Sequence, residues 1–311
     1  MALPNQGDVD VQALGGALGT GTHGTGRTLG SLSTQIAGLR LVTAAGDIIA
    51  VDAESDPELF EAARVSLGML GVTVAATLDL LPAYRLHERT WLMTVETCMA
   101  ELDRHIAENR HFEFFWRPLN GLCDAKSLNP TELPPDPPVP EAELGKPKPV
   151  LADAKPGPTG ERVDWSYRIF PTTRARKFNE MEFSLPAERG PDCFREIVAL
   201  MQTRYPEITT WPIEYRMQAA DAIFLSPAHG RATVAISIHQ GAAEPYEPFF
   251  RDAEAIFRNH RGRPHWGKIH FYSAKDLAAA YPCWERFLAV RQRMDPEGRF
   301  LNDYLRERFL G

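Results

Sequence analysis

Hydrophobic and polar positions recur along the chain with two different periods, and the changes of period mark its elements. Residues 38–52, GLRLVTAAGDIIAVD, hold two alternating apolar runs around Ala45-Gly46-Asp47, the signature of a β-hairpin. Asp56 and Pro57 then open a helix through Ala63 that stops near Gly68. The β-branched run 72–81 predicts a buried strand. Next come a strand over 91–95, a helix over 97–109 and a strand over 112–117. Strands are expected again at 166–170, 180–185, 213–219 and 233–239, with a helix at 191–205 between them. The last part is helical, over 248–259, over 274–294 and after Asn302. Residues 130–159 are dense in proline and predict a long, protease-sensitive surface insertion with no packed element. Units in this order point to an α+β fold with an antiparallel sheet.

The opening is different. Gly7, Gly15, Gly16, Gly19, Gly21, Gly24, Gly26 and Gly30 crowd residues 1–30, which read as loop throughout. A glycine-rich binding loop needs strands on both sides to hold it, so a chain that starts inside one is expected to be truncated. Clustered glycines let backbone N–H groups approach an anion closely, and Thr20, Thr22 and Thr25 add hydroxyl donors. No GK[ST] follows, which excludes a phosphate loop of the Walker type, and the hairpin that follows instead of a helix argues against a Rossmann turn. A flexible turn remains the bland alternative, and His23 alone is more often scaffold than catalyst.

Composition narrows the partners. Of 311 residues 44% are hydrophobic, enough for a sizeable core in one large domain or two. A net charge of −7 argues against a nucleic-acid partner, which usually needs a basic stripe. No apolar run approaches the roughly 20 residues of a membrane span, and no signal peptide opens the chain. Cys98, Cys123, Cys193 and Cys283 are scattered, so neither a zinc site nor a disulfide framework is expected, and a cytoplasmic location fits.

Two charged groupings could carry chemistry. Glu214 and Arg216 lie two apart on a predicted strand and share a face, with Tyr215 pointing away. Side by side they could hold a polyhydroxylated substrate; a salt bridge on an exposed strand is the alternative. Ser237 and His239 share a face of the next strand, and His239 could act as a base or be an ordinary satisfied histidine. His265-Trp266-Gly267-Lys268 is weak evidence by itself.

The order of several longer strings is more specific. GGALGTGTHGTG, the following LGSLSTQIAGLRLVTAAGDI, LGMLGVTVAATLDLLPAYRL, WPIEYRMQAADAIFLSPA, HWGK and the closing MDPEGRFLNDYL together resemble FAD-dependent sugar-1,4-lactone oxidases of the vanillyl-alcohol-oxidase superfamily. The resemblance implies the second half of an FAD-binding domain over residues 1–88. Residues 89–311 would then be an antiparallel-sheet substrate, or cap, domain with a helical C-terminal segment and the insertion at 130–159. It implies cofactor contacts at Gly16, Ala17, Thr20, Gly21, Thr22, His23, Gly24, Thr25, Gly26 and Val72. It also implies catalytic roles for Glu214, Arg216 and Lys268, substrate contacts at Ser237, His239 and His265, and no metal. FAD would be held without a covalent link, because the usual attachment histidine would lie ahead of residue 1. The implied reaction is hydride transfer to flavin N5 from a lactone of the D-arabinono- or L-gulono-1,4-lactone type, or from an alditol. A cation near flavin N1 would assist, and oxygen or another acceptor would take the electrons. Three other readings stay open: a non-catalytic remnant, a module that needs a separate polypeptide bearing the other half of the flavin fold, and a natural chain that starts further upstream.

Overall fold

The computed structural model describes residues 1–136, 138, 159–172 and 176–311, so most of the proline-rich stretch 130–159 lies outside the described residues. The opening is not all loop: Leu14–Gly19 winds into a short helix, α1, and the irregular backbone resumes at Thr20. The expected hairpin forms as β1 (Ile36–Val42) and β2 (Ile48–Asp52), with Val42 opposite Ile48. Gly46 takes φ 92° in the turn, where a side chain would strain the backbone. Asp56 caps α2 (Pro57–Ala63) by accepting the Leu59 N–H at 2.9 Å. β3 (Val72–Leu78) pairs with the other side of β1, giving a three-stranded sheet in the order β2-β1-β3.

β3 corrects the expectation of a buried strand. Val72 is 54% exposed and Val74 52%. Its β-branched run reflects propensity for extended backbone rather than burial, because β3 is an edge strand covered by β1 alone among the described residues. Ile48, Val42 and Val72 stand in register across the sheet.

The second sheet is larger. β4 (Arg85–Thr94), the helices α3 (Val95–Ala100) and α4 (Leu102–Glu108), β5 (His111–Trp116) and β6 (Leu122–Thr131) come first. They are followed by β7 (Gly160–Trp165), α5 (Ser166–Ile169), β8 (Phe178–Pro186) and α6 (Gly190–Arg204). β9 (Ile213–Gln218), β10 (Thr233–Gly241), α7 (Glu247–Asn259) and the short β11 (Arg263–Pro264) complete it. The strand order is β11-β8-β10-β9-β5-β6-β4-β7, with every neighbouring pair antiparallel. This is the α+β architecture expected from the sequence.

The helix expected over 97–109 is two, α3 and α4, broken at Glu101, and three further local expectations fail for physical reasons. Residues 166–170 are helical rather than a strand; an Arg168–Asp164 pair at 3.0 Å, spaced i,i+4, spans the turn, and the strand lies just before it as β7. β6 was not expected, because Asp124, Lys126 and Ser127 blur its alternation, and it runs through Pro130, which lies opposite Leu86 near the strand end. The single helix predicted over 274–294 is two, α8 (Ala274–Ala280) and α9 (Trp284–Met294). Pro282 cannot donate to the helix ladder and pushes Tyr281 to an extended φ of −101°. α10 (Asp303–Phe309) follows Asn302, which caps it by accepting from the Leu305 N–H.

Both faces of the large sheet are covered. One is apolar: Phe114 stacks on Tyr215 at 4.9 Å and meets Phe194 of α6 edge-on at 5.3 Å, while Phe183 stacks on Phe257 of α7 at 4.9 Å. The opposite face is charged, and the glycine-rich segment lies on it. No helix among the described residues is long and apolar enough to cross a membrane.

Candidate active site

Alternation along β9 sends Tyr215 into the apolar core and turns Glu214 and Arg216 to the charged face, where they are 3% and 6% exposed. They are not an exposed surface pair. Arg216 Nη2 lies 3.4 Å from Glu214, but it pairs more closely with Glu182 of β8. Ser237 of β10 donates to the same Glu182 oxygen at 2.6 Å, and His23 Nε2 meets the other oxygen at 2.9 Å. Burial opposes a charge on Glu182, yet Arg216 and His23 outweigh it and hold its carboxyl well below the usual range. Glu214 behaves oppositely. Burial pushes its acid up to about 7 against the pull of Arg216, and its buried Oε1 has no hydrogen-bond partner among the described residues.

The HWGK turn is clamped to β8. The His265 N–H donates to the Glu182 carbonyl at 3.0 Å and the Ile269 N–H to the Glu180 carbonyl at 2.9 Å. Trp266 Nε1 donates to the Leu225 carbonyl at 2.6 Å, so the tryptophan anchors the turn while Lys268 reaches the site. Lys268 Nζ is paired with the Glu180 carboxylate, which also lies 3.7 Å from His239 Nε2. Burial works against the charges on Lys268 and His239, and Glu180 more than compensates, raising both above their ordinary values. His239 Nδ1 lies 2.8 Å from the Pro212 carbonyl. Burial holds His265 down to about 4, and its Nδ1 accepts the Gly267 N–H at 3.0 Å.

The structure therefore brings Glu214, Arg216, Ser237, His239, His265 and Lys268 together with His23. Glu180 and Glu182 were missed. Their signal was present: NEMEFSL alternates Glu180, Glu182 and Ser184 with Met181, Phe183 and Leu185, the same two-residue rule that singled out Glu214 and Arg216.

The glycines of the loop divide into two uses. A Cβ on Gly15, Gly16 or Gly19 would meet nothing within 4 Å, so this backbone is open to close approach. Gly24 and Gly26 are packed: added Cβ atoms would lie 2.3 Å from the Gln6 carbonyl oxygen and 2.7 Å from the Arg110 carbonyl oxygen. The Gly26 N–H donates to the Met217 carbonyl at 2.9 Å and Thr25 Oγ1 to the Phe112 carbonyl at 2.5 Å, which stitches the loop to β9 and β5. Thr20 Oγ1 donates to the Gly16 carbonyl at 3.0 Å; Ala17, Gly21 and Thr22 are buried beneath the segment. Val72 stands on the other sheet, paired with Val42.

Two groups of three potential metal ligands occur among the described residues, His23-Glu182-His265 and Glu180-Glu214-His239, each with ligand atoms within 4.8 Å of one another. Glu182 and Glu180 are already engaged by guanidinium and ammonium groups, so both clusters are ion-pair hubs.

Comparison with known proteins first defines the class. Cholesterol oxidase from B. sterolicum superposes with a TM-score of 0.77 over 99% of this chain and 76% of that one, at 16% identity, and so shares the fold. The pattern of the D-arabinono-1,4-lactone oxidase family matches residues 76–155 and 150–308. L-gulono-1,4-lactone dehydrogenase from Mycobacterium tuberculosis is 38% identical over 338 aligned positions, spanning 100% of this chain and 77% of that protein. L-gulonolactone oxidase from Bos taurus is 31% identical, spanning 99% of this chain and 76% of that protein. The chain belongs to the D-arabinono-1,4-lactone oxidase family.

Proposed function

We propose that the chain oxidises a sugar 1,4-lactone of the D-arabinono- or L-gulono-1,4-lactone type with non-covalently held FAD, and that oxygen or another acceptor takes up the electrons. In this reading residues 1–88 serve the cofactor and residues 89–311 the substrate. The carrying observation is the meeting of the glycine-rich segment, through His23, with a largely buried set of two cations and three carboxylates, Arg216 and Lys268 with Glu180, Glu182 and Glu214. The residues present fit the cofactor: the backbone at Gly15, Gly16 and Gly19 is open to an anion, and the packed Gly24 and Gly26 hold the loop against the charged face. Bound FAD would supply the hydride acceptor.

The chain's own residues supply the rest. Arg216 offers donors to the lactone oxygens and hydroxyls from a guanidinium already oriented by Glu182. Glu214, the one carboxylate of the three whose acid is raised, is the group best suited to take the substrate hydroxyl proton. Lys268 adds a positive charge beside the reacting centre, held in place by Glu180.

The test is flavin reduction by a lactone, followed without oxygen by stopped flow. FAD should bind, and acid precipitation should release all of it to the supernatant. Lys268→Met removes an interaction of a kind worth about 2–4 kcal/mol in the transition state. It should slow reduction roughly a hundredfold while FAD stays bound. A near-normal rate would return Lys268 to a structural role, and failure of the unaltered chain to bind FAD would favour a non-catalytic module.

A further inference from the structure

The glycine-rich segment and the substrate-side strands meet at one carboxylate, Glu182. It is 1% exposed and both oxygens are in use: Oε1 faces His23 Nε2 at 2.9 Å, and Oε2 accepts from Ser237 Oγ at 2.6 Å and from Arg216 Nη2. The other ring nitrogen of His23, Nδ1, lies 2.8 Å from the Gly24 carbonyl oxygen. A carbonyl and an ionised carboxylate can only accept, whereas a neutral imidazole has a single N–H to donate. Both contacts are hydrogen bonds only when the ring has a hydrogen on each nitrogen, and such a ring is a cation.

His239 resembles His23 in part, with Nδ1 on the Pro212 carbonyl, but its Nε2 stands 3.7 Å from Glu180, beyond a direct hydrogen bond; the two buried histidines nearest the loop differ outright. His111 Nδ1 lies 2.8 Å from the Thr25 carbonyl, but its Nε2 meets no partner among the described residues, so one N–H is enough; burial holds it down to about 4. His265 uses Nδ1 as an acceptor, for the Gly267 N–H. Around the same loop, then, two rings are built to be neutral and one to be charged.

We propose that Glu182 is a positioning residue: it holds His23 as a doubly protonated cation, ties it to Arg216, and so makes the glycine-rich segment present a fixed positive charge to an anionic cofactor. The role towards a cofactor rests on the flavin reading above. One negative charge cannot neutralise two cations, so the Arg216–Glu182–His23 chain taken by itself carries one net positive charge; the nearest further carboxylate is Glu214, 3.4 Å from Arg216. Low exposure keeps water from screening that charge. The arrangement also spans two parts of the site, since His23 belongs to the loop and Arg216 to β9.

Nitrogen-15 NMR of the chain with labelled histidine, at neutral pH and without cofactor, tests this. His23→Gln identifies the signals by their loss. In the unaltered chain His23 should show a hydrogen on both ring nitrogens. In Glu182→Gln, Arg216 has no acceptor to offer, so the amide oxygen should turn to Arg216 and Ser237 and the NH2 group to His23. The ring must then accept at Nε2, and its second N–H signal should be lost. Glu182→Asp, which keeps the carboxylate, should retain both. A single protonated nitrogen in the unaltered chain would overturn the proposal, and so would two in Glu182→Gln. The first measurement needs no variant, so a substitution that fails to fold leaves the test decisive. It also needs no FAD, so it stands apart from the binding assay that tests the flavin reading.

Discussion

Glu214 and Glu182 flank Ser237 on one sheet face, on the strands to either side of β10, and are driven in opposite directions by their surroundings. Glu182 is met by Arg216, Ser237 and His23, whereas Glu214 is buried with the Arg216 guanidinium 3.4 Å away and no hydrogen-bond partner among the described residues for its Oε1. The acid of Glu214 accordingly rises from 4.5 to about 7. Between those values the folded chain binds more protons than the unfolded one, so stability contributed by this group falls as pH rises and the loss is complete above about 7. Glu214→Gln removes the titration. Its melting temperature relative to the unaltered chain should climb from about pH 4.5 to about 7 and then level off, as followed by calorimetry. A pH-independent difference would place the raised acid elsewhere. The same proton sets the rate if Glu214 is the base: flavin reduction should rise about tenfold per pH unit below about 7 and flatten above it.

At the scale of elements, the glycine-rich segment separates residues that shape the fold from residues that leave room. Gly24→Ala would push a methyl to 2.3 Å from a backbone carbonyl and 2.6 Å from Asn5 Oδ1, with backbone on one side unable to yield. A loss of about 1–3 kcal/mol is expected, read by urea unfolding. Gly16→Ala, inside α1 with open space around it, should leave stability unchanged or raise it by up to about 1 kcal/mol. Equal losses in both would contradict this division. Such distinctions were only partly legible in the sequence. The Ala45-Gly46-Asp47 turn, the Asp56 cap and the alternation of Glu214 with Tyr215 were readable because each depends on neighbours within a few residues. The burial of β3, the existence of β6 and the partners of Lys268 were not, because each is set by a segment far along the chain. Glu180 is 88 residues from Lys268, and no local pattern announces that pairing.

Across the whole molecule, the last helices return to the first elements. Arg293 of α9 pairs with Asp56 at 2.9 Å and Arg286 with Glu58 at 3.3 Å, while Phe309 of α10 stacks on Trp284 at 4.6 Å and on Trp266 at 5.6 Å. The turn that carries Lys268 is thus braced by the C-terminal helix. Among the described residues the three-stranded sheet has no comparable brace along β3, and none pairs with the outer edge of that strand, beside the apolar row of Ile48, Val42 and Val72. Such an edge is a template for pairing with another chain, and a net charge of −7 opposes the approach of copies. That repulsion vanishes near the isoelectric point expected from the sequence, about 5.8. Light scattering should show the chain monodisperse well above that pH and self-associating as it is approached. Val72→Lys, which puts a charge on the edge, should widen the range of pH over which the protein stays in solution. Colloidal behaviour, rather than folding stability, would then set the conditions under which this oxidoreductase fold can be handled.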